Sequence, residues 1–489
     1  MKRIYRDINP NHKAPAKLYK GGQFIAEVPC QIWFPRHNYE RPFLCFESID
    51  KAHQSIGSIS PNYNVCIEIV GLGEGKVNVY ARRMFVENFC MSYRSPEFPP
   101  LITFEGEPET VTEVVKMGHR DKSHGKSHVV LHLMDNFLLS PDKIIEKSFT
   151  GGVKVKDVRT HKDLIEPLGE VTFDEYFYYI AIGDGEEASY RKLVAVFETD
   201  LQIRDLNSFE EIIRPAIDDY LLLASFAANQ RTNVVAWTSI GGESLLRGWY
   251  GNVTVAAPNR EKRHGHDDVL IDLVHFQEFM QTATGSFSRF SIGEKQLVRR
   301  AIYNILPRQG RTVESSVLSF FSAIESVVLL HRRAKDLEFT ISKKKHWEKL
   351  EEVLRKVARE NESLFSTPEH MQMLIKMLPS LKRVPLQEAF RSFVDESKVD
   401  LSDLWPVFGP GATLSEVRNT LIHGGSFYDE RFTSLCHAMD NIECIAKRLI
   451  LTILGWDVGK SNISKTVLRE HGWIPNSNLS GDMHALSAT

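Results

Sequence analysis

Leu435-Cys-His-Ala-Met-Asp-Asn-Ile-Glu-Cys-Ile-Ala-Lys-Arg-Leu-Ile-Leu-Thr-Ile453 decides how the C-terminal half folds. Its apolar residues Leu435, Met439, Ile442, Ala446, Leu449 and Ile453 step by 4, 3, 4, 3 and 4. That is the spacing of one helix face, and such a stripe packs against other helices or against a second copy of itself. The same period recurs upstream in Val317, Phe321, Ile324 and Val328, in Trp347, Leu350, Leu354 and Val357, and in Met371, Leu374 and Leu378. A helical bundle is therefore expected over residues 263–475. Residues 476–489 are polar and rich in small side chains, which predicts a loosely held tail.

Ahead of this half the period changes. Gln23–Val28, Val65–Val70, Val77–Tyr80, Val129–Leu133, Lys192–Phe197 and Asn252–Ala257 are short, β-branched or aromatic runs that predict strands. Gly71, Gly73 and Gly75 break the second run from the third, as a loop or hairpin would. One helix, Glu210–Ala228, interrupts the series through Ile212, Ile213, Ile217, Leu221 and Ala224. The polar, turn-prone segment 258–268 marks the boundary, so the fold class is α+β, with a β-rich domain over residues 1–262.

A chain of 489 residues has room for more than one hydrophobic core. Hydrophobic residues at 42% and charged residues at 25% exclude collagen-like and largely disordered classes. The net charge of −3 means that any nucleic acid must be met by a local patch. Cys30, Cys45, Cys66, Cys90, Cys436 and Cys444 form no CxxC pair, which removes zinc-ribbon and thioredoxin-type motifs. The polar, basic N-terminus lacks the apolar core of a secretory signal, and no apolar run approaches the roughly 18–20 residues that span a bilayer. These features predict a cytoplasmic protein without a membrane partner. No P-loop, G-x-G-x-x-G or G-x-S-x-G occurs, which argues against standard NTPase, dinucleotide and serine-hydrolase chemistry, and no cofactor is expected.

The chemistry is expected in Ala412-Thr-Leu-Ser-Glu-Val-Arg-Asn-Thr-Leu-Ile-His-Gly-Gly425. Thr413 and Glu416 have capping-box spacing and start a helix, while Gly424 and Gly425 can end it. His423 then falls at the C-terminal end, where the helix dipole favours a cation. Asn419 lies one helical step before it and could orient its imidazole. Arg418 is five residues back, about 140° around the helix.

Arg418-Asn-Thr-Leu-Ile-His423 resembles the R-x4-H signature of the HEPN (higher eukaryotes and prokaryotes nucleotide-binding) family, including its polar residue after the arginine. The setting is similar too, with a long helix after the motif and Glu325 on an earlier helix. The resemblance spans roughly residues 310–456, with 335–410 longer than is typical. A β-rich half followed by a HEPN domain is similar in layout to the ApeA-type defence proteins of prokaryotes. The resemblance implies metal-independent RNA cleavage by 2′-hydroxyl attack, with tRNA a possible target. His423 would transfer protons, Arg418 would bind the phosphorane oxygens, and Glu325 and Asn419 would support them. It also implies a homodimer in which two motifs line one cleft, and a role in abortive infection released by a phage-derived trigger.

Other residues need weighing. Residues 331–359 carry an excess of Lys and Arg, and Arg332, Arg333, Lys343, Lys344 and Lys345 are candidate RNA contacts, although a charged helix face is often merely solvated. His119, His124, His128 and His132, or His264 and His266 with Asp267 and Asp268, could in principle hold a metal, but spacing alone is a poor warrant and none is assigned. Two further readings stay open: a non-catalytic HEPN module that binds nucleotide, RNA or protein, and a metal-dependent hydrolase in the N-terminal half.

Overall fold

Alternation shapes the first half. Strand β2 (Gln23–Trp33) buries Ala26, Val28, Cys30 and Ile32 and turns Glu27 and Pro29 outward, the two-residue period of a half-buried strand. It pairs with β1 (His12–Lys20) and β3 (Phe43–Ser48). Then follow β4 (Asn64–Gly71), β5 (Val77–Ser92), β6 (Leu101–Lys116) and β7 (Ser127–Leu133). The remaining strands are β8 (Asp142–Lys147), β9 (Val153–Arg159), β10 (His161–Ile165), β11 (Gly169–Ile182), β12 (Glu186–Thr199), β13 (Val234–Gly241) and β14 (Ser244–Tyr250).

All but β8 and β9 join one 12-stranded antiparallel sheet in the order β10-β11-β12-β7-β13-β14-β6-β3-β2-β1-β4-β5, and β5 also pairs with β6. That last pairing closes β6-β3-β2-β1-β4-β5 into a barrel, which removes free edges. Leu18, Val28, Phe46, Met84, Phe104 and Val111 share its core. On its other edge β6 meets β3 through residues 102–106 and β14 through residues 110–116. The strands beyond β14 form an open sheet.

Helix α1 (Arg214–Ala227), entered through the wider π-turn Phe209–Ile213, packs in this half of the chain. Phe209 stacks on Trp237 with ring centres 3.9 Å apart. The Trp237 indole lies flat over its cross-strand neighbour Gly248, where an added Cβ would come within 2.1 Å of the ring. Tyr220 stacks on Phe173 and donates its hydroxyl hydrogen to Asp163 at 2.9 Å.

The computed structural model describes residues 12–20, 23–34, 42–48, 64–71, 77–92, 101–116, 126–134, 136–140, 142–147, 153–159, 161–182, 186–200, 209–241, 244–250, 269–308, 310–335, 337–341, 343–410, 412–425, 427, 431–470, 481–482 and 485–486. The strand expected at Asn252–Ala257 and the boundary segment 258–268 lie outside them. The chain divides into two units, residues 1–265 and 266–489, and is α+β: antiparallel sheet in the first, helices in the second.

The second unit comprises α2 (Leu273–Ser288), α3 (Ile292–Ile305), α4 (Val313–Ala334), α5 (Lys344–Glu360), α6 (Pro368–Met377), α7 (Leu386–Ser397), α8 (Leu414–Ile422), α9 (Phe432–Ile453) and α10 (Lys465–Glu470). Central α4 packs against α3, α7, α8 and α9. Among the described helices it alone is long and apolar enough to cross a membrane, with mean hydropathy 1.6, and here Val317, Phe321, Ile324 and Val328 are spent on the core.

The opening stripe of α9 is likewise used within the chain. Leu435, Ile442, Ala446 and Leu449 are fully buried, and burial extends round the helix to Ile445, Ile450 and Leu451. Helix α5 forms where the period places it; Trp347 and Ala358 are buried, while Leu350 and Val357 face solvent. Within the tail expected to be loose, Asp482 accepts hydrogen bonds from Ser434 and pairs with His437 on α9, and Leu486 is buried.

Candidate active site

The site begins with a loop pinned to α9. Arg448 lies at 1% exposure in a helix otherwise suited to apolar packing, and its fork binds both oxygens of buried Asp403 at 2.6 and 2.8 Å. It also donates to the carbonyls of Ile463 and Asp400. Burial alone would lower the guanidinium pKa, but the Asp403 carboxylate reverses the sign and raises it. Two turns earlier, the side-chain amide oxygen of Asn441 accepts from the Trp405 backbone N–H at 3.0 Å. Asp400, held by Ser402 and Lys465, has its pKa depressed to about 2.

This anchored loop prepares the start of α8. The first amides of a helix have no intrahelical acceptor. Here the carbonyls of Pro406 and Val407 take the N–H groups of Leu414 and Ser415 at 3.0 and 3.1 Å. Glu416 reaches back to the Thr413 N–H at 3.1 Å, the return half of the capping box that the sequence spacing predicts.

The other end of α8 is a Schellman turn. His423 is the C-cap residue, Gly424 takes φ +81°, and the N–H groups of Gly424 and Gly425 bond back to Leu421 and Thr420 at 3.2 and 2.8 Å. Gly424 supplies a left-handed conformation that side chains resist. Gly425 is needed for another reason: a Cβ there would meet Thr420 Cγ2 at 2.5 Å and its carbonyl oxygen at 2.9 Å. The paired glycines thus hold His423 at the helix terminus with its side chain exposed.

Between these ends, Arg418 turns toward α4. Its Nη2 donates to Glu325 Oε1 at 2.8 Å, its Nη1 donates to Asn419 Oδ1 at 3.1 Å, and its guanidinium lies 5.4 Å from the centre of the Phe321 ring. Arg418 and Glu325 stay 31% and 35% accessible, so the pair is fixed in place yet open to a ligand. Asn419, expected to orient the imidazole, instead serves the arginine: the guanidinium folds back beside its chain neighbour and takes the amide oxygen. Among the described residues no side chain hydrogen-bonds the His423 ring.

The basic candidates do not gather at this place. Arg332 is half-buried and spends its Nη2 on the Val384 carbonyl at 2.5 Å, and burial followed by the charge of Arg383 lowers its pKa. Arg333 pairs with Glu338 at 3.3 Å. Lys343, Lys344 and Lys345 are exposed at the start of α5, with Lys344 3.6 Å from Glu348. His128 and His132 lie along β7, and His119, His124, His264, His266, Asp267 and Asp268 lie outside the described residues. Among the described residues no three His, Cys, Asp or Glu side chains group as a metal site.

Sequence reasoning missed the Arg448, Asp403 and Asn441 anchor. Its signal was present, because Asn441 and Arg448 interrupt the apolar α9 on sides that the structure buries. Comparison with family models, with curated proteins and with solved structures returns no match to this chain.

Proposed function

We propose that the helical unit is a HEPN-type endoribonuclease with Arg418 and His423 as its catalytic pair. The observation that carries this reading is their presentation on one short helix: Arg418 is braced by Glu325 and Asn419, and His423 caps the same helix toward solvent. A guanidinium keeps its charge and matches phosphate oxygens, so Arg418 suits the dianionic phosphorane. An imidazole can both take and return a proton near neutral pH, so His423 suits acid–base work.

In the reaction the RNA 2′-oxygen attacks the adjacent phosphorus and gives up its proton to a base. The bond from phosphorus to the 5′-oxygen breaks as the new bond forms. The departing oxygen takes a proton, leaving a 2′,3′-cyclic phosphate and a 5′-hydroxyl, and no electron is gained or lost. With one motif per chain, base and acid come from two copies of His423 in a homodimer. In the cell we assign the activity to cytoplasmic antiphage defence by abortive infection. Its target is host or phage RNA, tRNA included, and the β-rich unit responds to a phage-derived trigger.

The test compares wild type, Arg418→Ala and His423→Ala for RNA integrity, with EDTA present and after the trigger. Cleavage should survive the chelator and fall by about 10²–10⁴ in His423→Ala, the range for losing a general acid–base group. Folded variants that cut like wild type would overturn the assignment. The 2.8 Å Arg418–Glu325 pair also suits a second reading, a non-catalytic module in which the ion pair is structural. RNA binding without cleavage by the wild-type chain would favour it. A light-scattering mass of one chain would refute the dimer.

A further inference from the structure

A second guanidinium contacts the same stretch of α4 as the first. Arg300, exposed on α3, donates from Nη2 to the Ser322 hydroxyl on α4 at 3.3 Å, and no described carboxylate pairs with it. Ser322 and Glu325 are three residues apart on α4, so their Cβ atoms are about 5–6 Å apart. At about 100° per residue, Phe321, Glu325 and Ser322 lie at about 0°, 40° and 100° around that helix. Arg418 occupies the Phe321 and Glu325 side and Arg300 the Ser322 side. Two arginines carried by different helices therefore flank a single turn of α4, whose Leu318, Ser322, Glu325 and Leu329 are only half-buried.

One glutamate faces these two cations. Glu325 answers Arg418, while among the described residues Arg300 has a long bond to a neutral hydroxyl and no carboxylate. An anion bridging the two would accept from further donors of both forks. We propose that Arg300 is a phosphate-binding residue of this site, holding a phosphate of single-stranded RNA next to the one engaged by Arg418. The inference rests on the ribonuclease reading and deepens it, since it adds a strand path along α4 between α3 and α8. Arg300 positions the strand and takes no part in proton transfer.

Counterion release supplies the test. Each phosphate contact with a single strand contributes about 0.7 to the slope of log K against log salt. The full chain carrying His423→Ala, which binds without cutting, is titrated with fluorescent oligouridine across a salt series. Adding Arg300→Ala should weaken binding about tenfold and reduce the slope by about 0.7. Arg300→Lys, which keeps the charge, should restore most of the slope, and Lys376→Ala on α6 should leave it unchanged. A merely structural Arg300 would not move the slope. If Arg300→Ala binds with unchanged affinity and slope while Arg418→Ala loses both, this inference falls and the ribonuclease reading stands. If the His423→Ala chain binds no oligouridine even at low salt, both fall together.

Discussion

Gly425 sets how tightly the chain can fold back after α8, and through that turn it sets where His423 stands. A methyl group at this position would drive into the Thr420 carbonyl and side chain. Gly425→Ala is therefore expected to open the bond from residue 425 to Thr420 and fray the last turn of α8, at a cost of about 1–3 kcal/mol. Denaturant unfolding would read that loss, and RNA cleavage should fall further than RNA binding because Arg418 keeps its Glu325 anchor. The two ends of this helix were legible in the sequence, since caps are local signals: Thr413 with Glu416 at one end and the glycine pair at the other. The Arg418–Glu325 contact was legible as well, because a carboxylate on the apolar face of Phe321, Val328 and Leu329 calls for a cation and the resemblance sets Glu325 beside Arg418, although the two are 93 residues apart.

At the scale of elements, α9 holds the loop that caps α8. Asp403 and Arg448 are both buried, so removing one leaves the other charged and unpaired. Arg448→Met should destabilise the chain by about 3–5 kcal/mol, whereas adding Asp403→Leu to it should recover much of the loss. Thermal unfolding of the single and double variants would measure both changes. A double variant no more stable than Arg448→Met would mean that the cost lies elsewhere. The stripe on α9 was readable because its period is local, but the loop that Arg448 clamps was not. In α5 the pattern marks the helix that forms, but not its burial: Trp347 is buried while Leu350 and Val357 face solvent. Periodicity reports which side of a helix is apolar, and only a packed neighbour buries it. Helices α2 and α3 also carry local signals that the strongest stripes overshadowed, notably the capping box of Ser291 and Glu294.

Over the whole molecule, each unit contains a histidine held toward its neutral form. Burial lowers the pKa of His331, against the raising effect of Glu396, and its Nε2 lies 3.0 Å from the Ser392 hydroxyl. His161 in the sheet unit is lowered by burial in the same way, against the charge of Asp163. An unfolded imidazole titrates near about 6.5. Since the folded values are lower, the unfolded chain binds more protons in this range. The stabilisation is complete above about pH 6.5 and is lost as pH falls through the folded values. Melting temperatures taken between neutral and mildly acid pH should drop for wild type and drop less for His331→Gln. Equal slopes in the two would refute the assignment. At this scale the α+β class was legible, because the period changes between the halves. Barrel closure was not, because it depends on β1 meeting β4 and β3 meeting β6, strands far apart in sequence.

Strand β6 belongs to two structures at once: it is a stave of the barrel and the border from which the open sheet grows. The barrel consequently has no clean line of excision. Cutting the chain after Lys116 would leave residues 110–116 with a bare row of amides and carbonyls where β14 had been, an invitation to pair with other molecules. Any signal that tugs on the sheet through β14 would also reach the barrel wall without crossing a flexible joint, so the two parts share one mechanical fate.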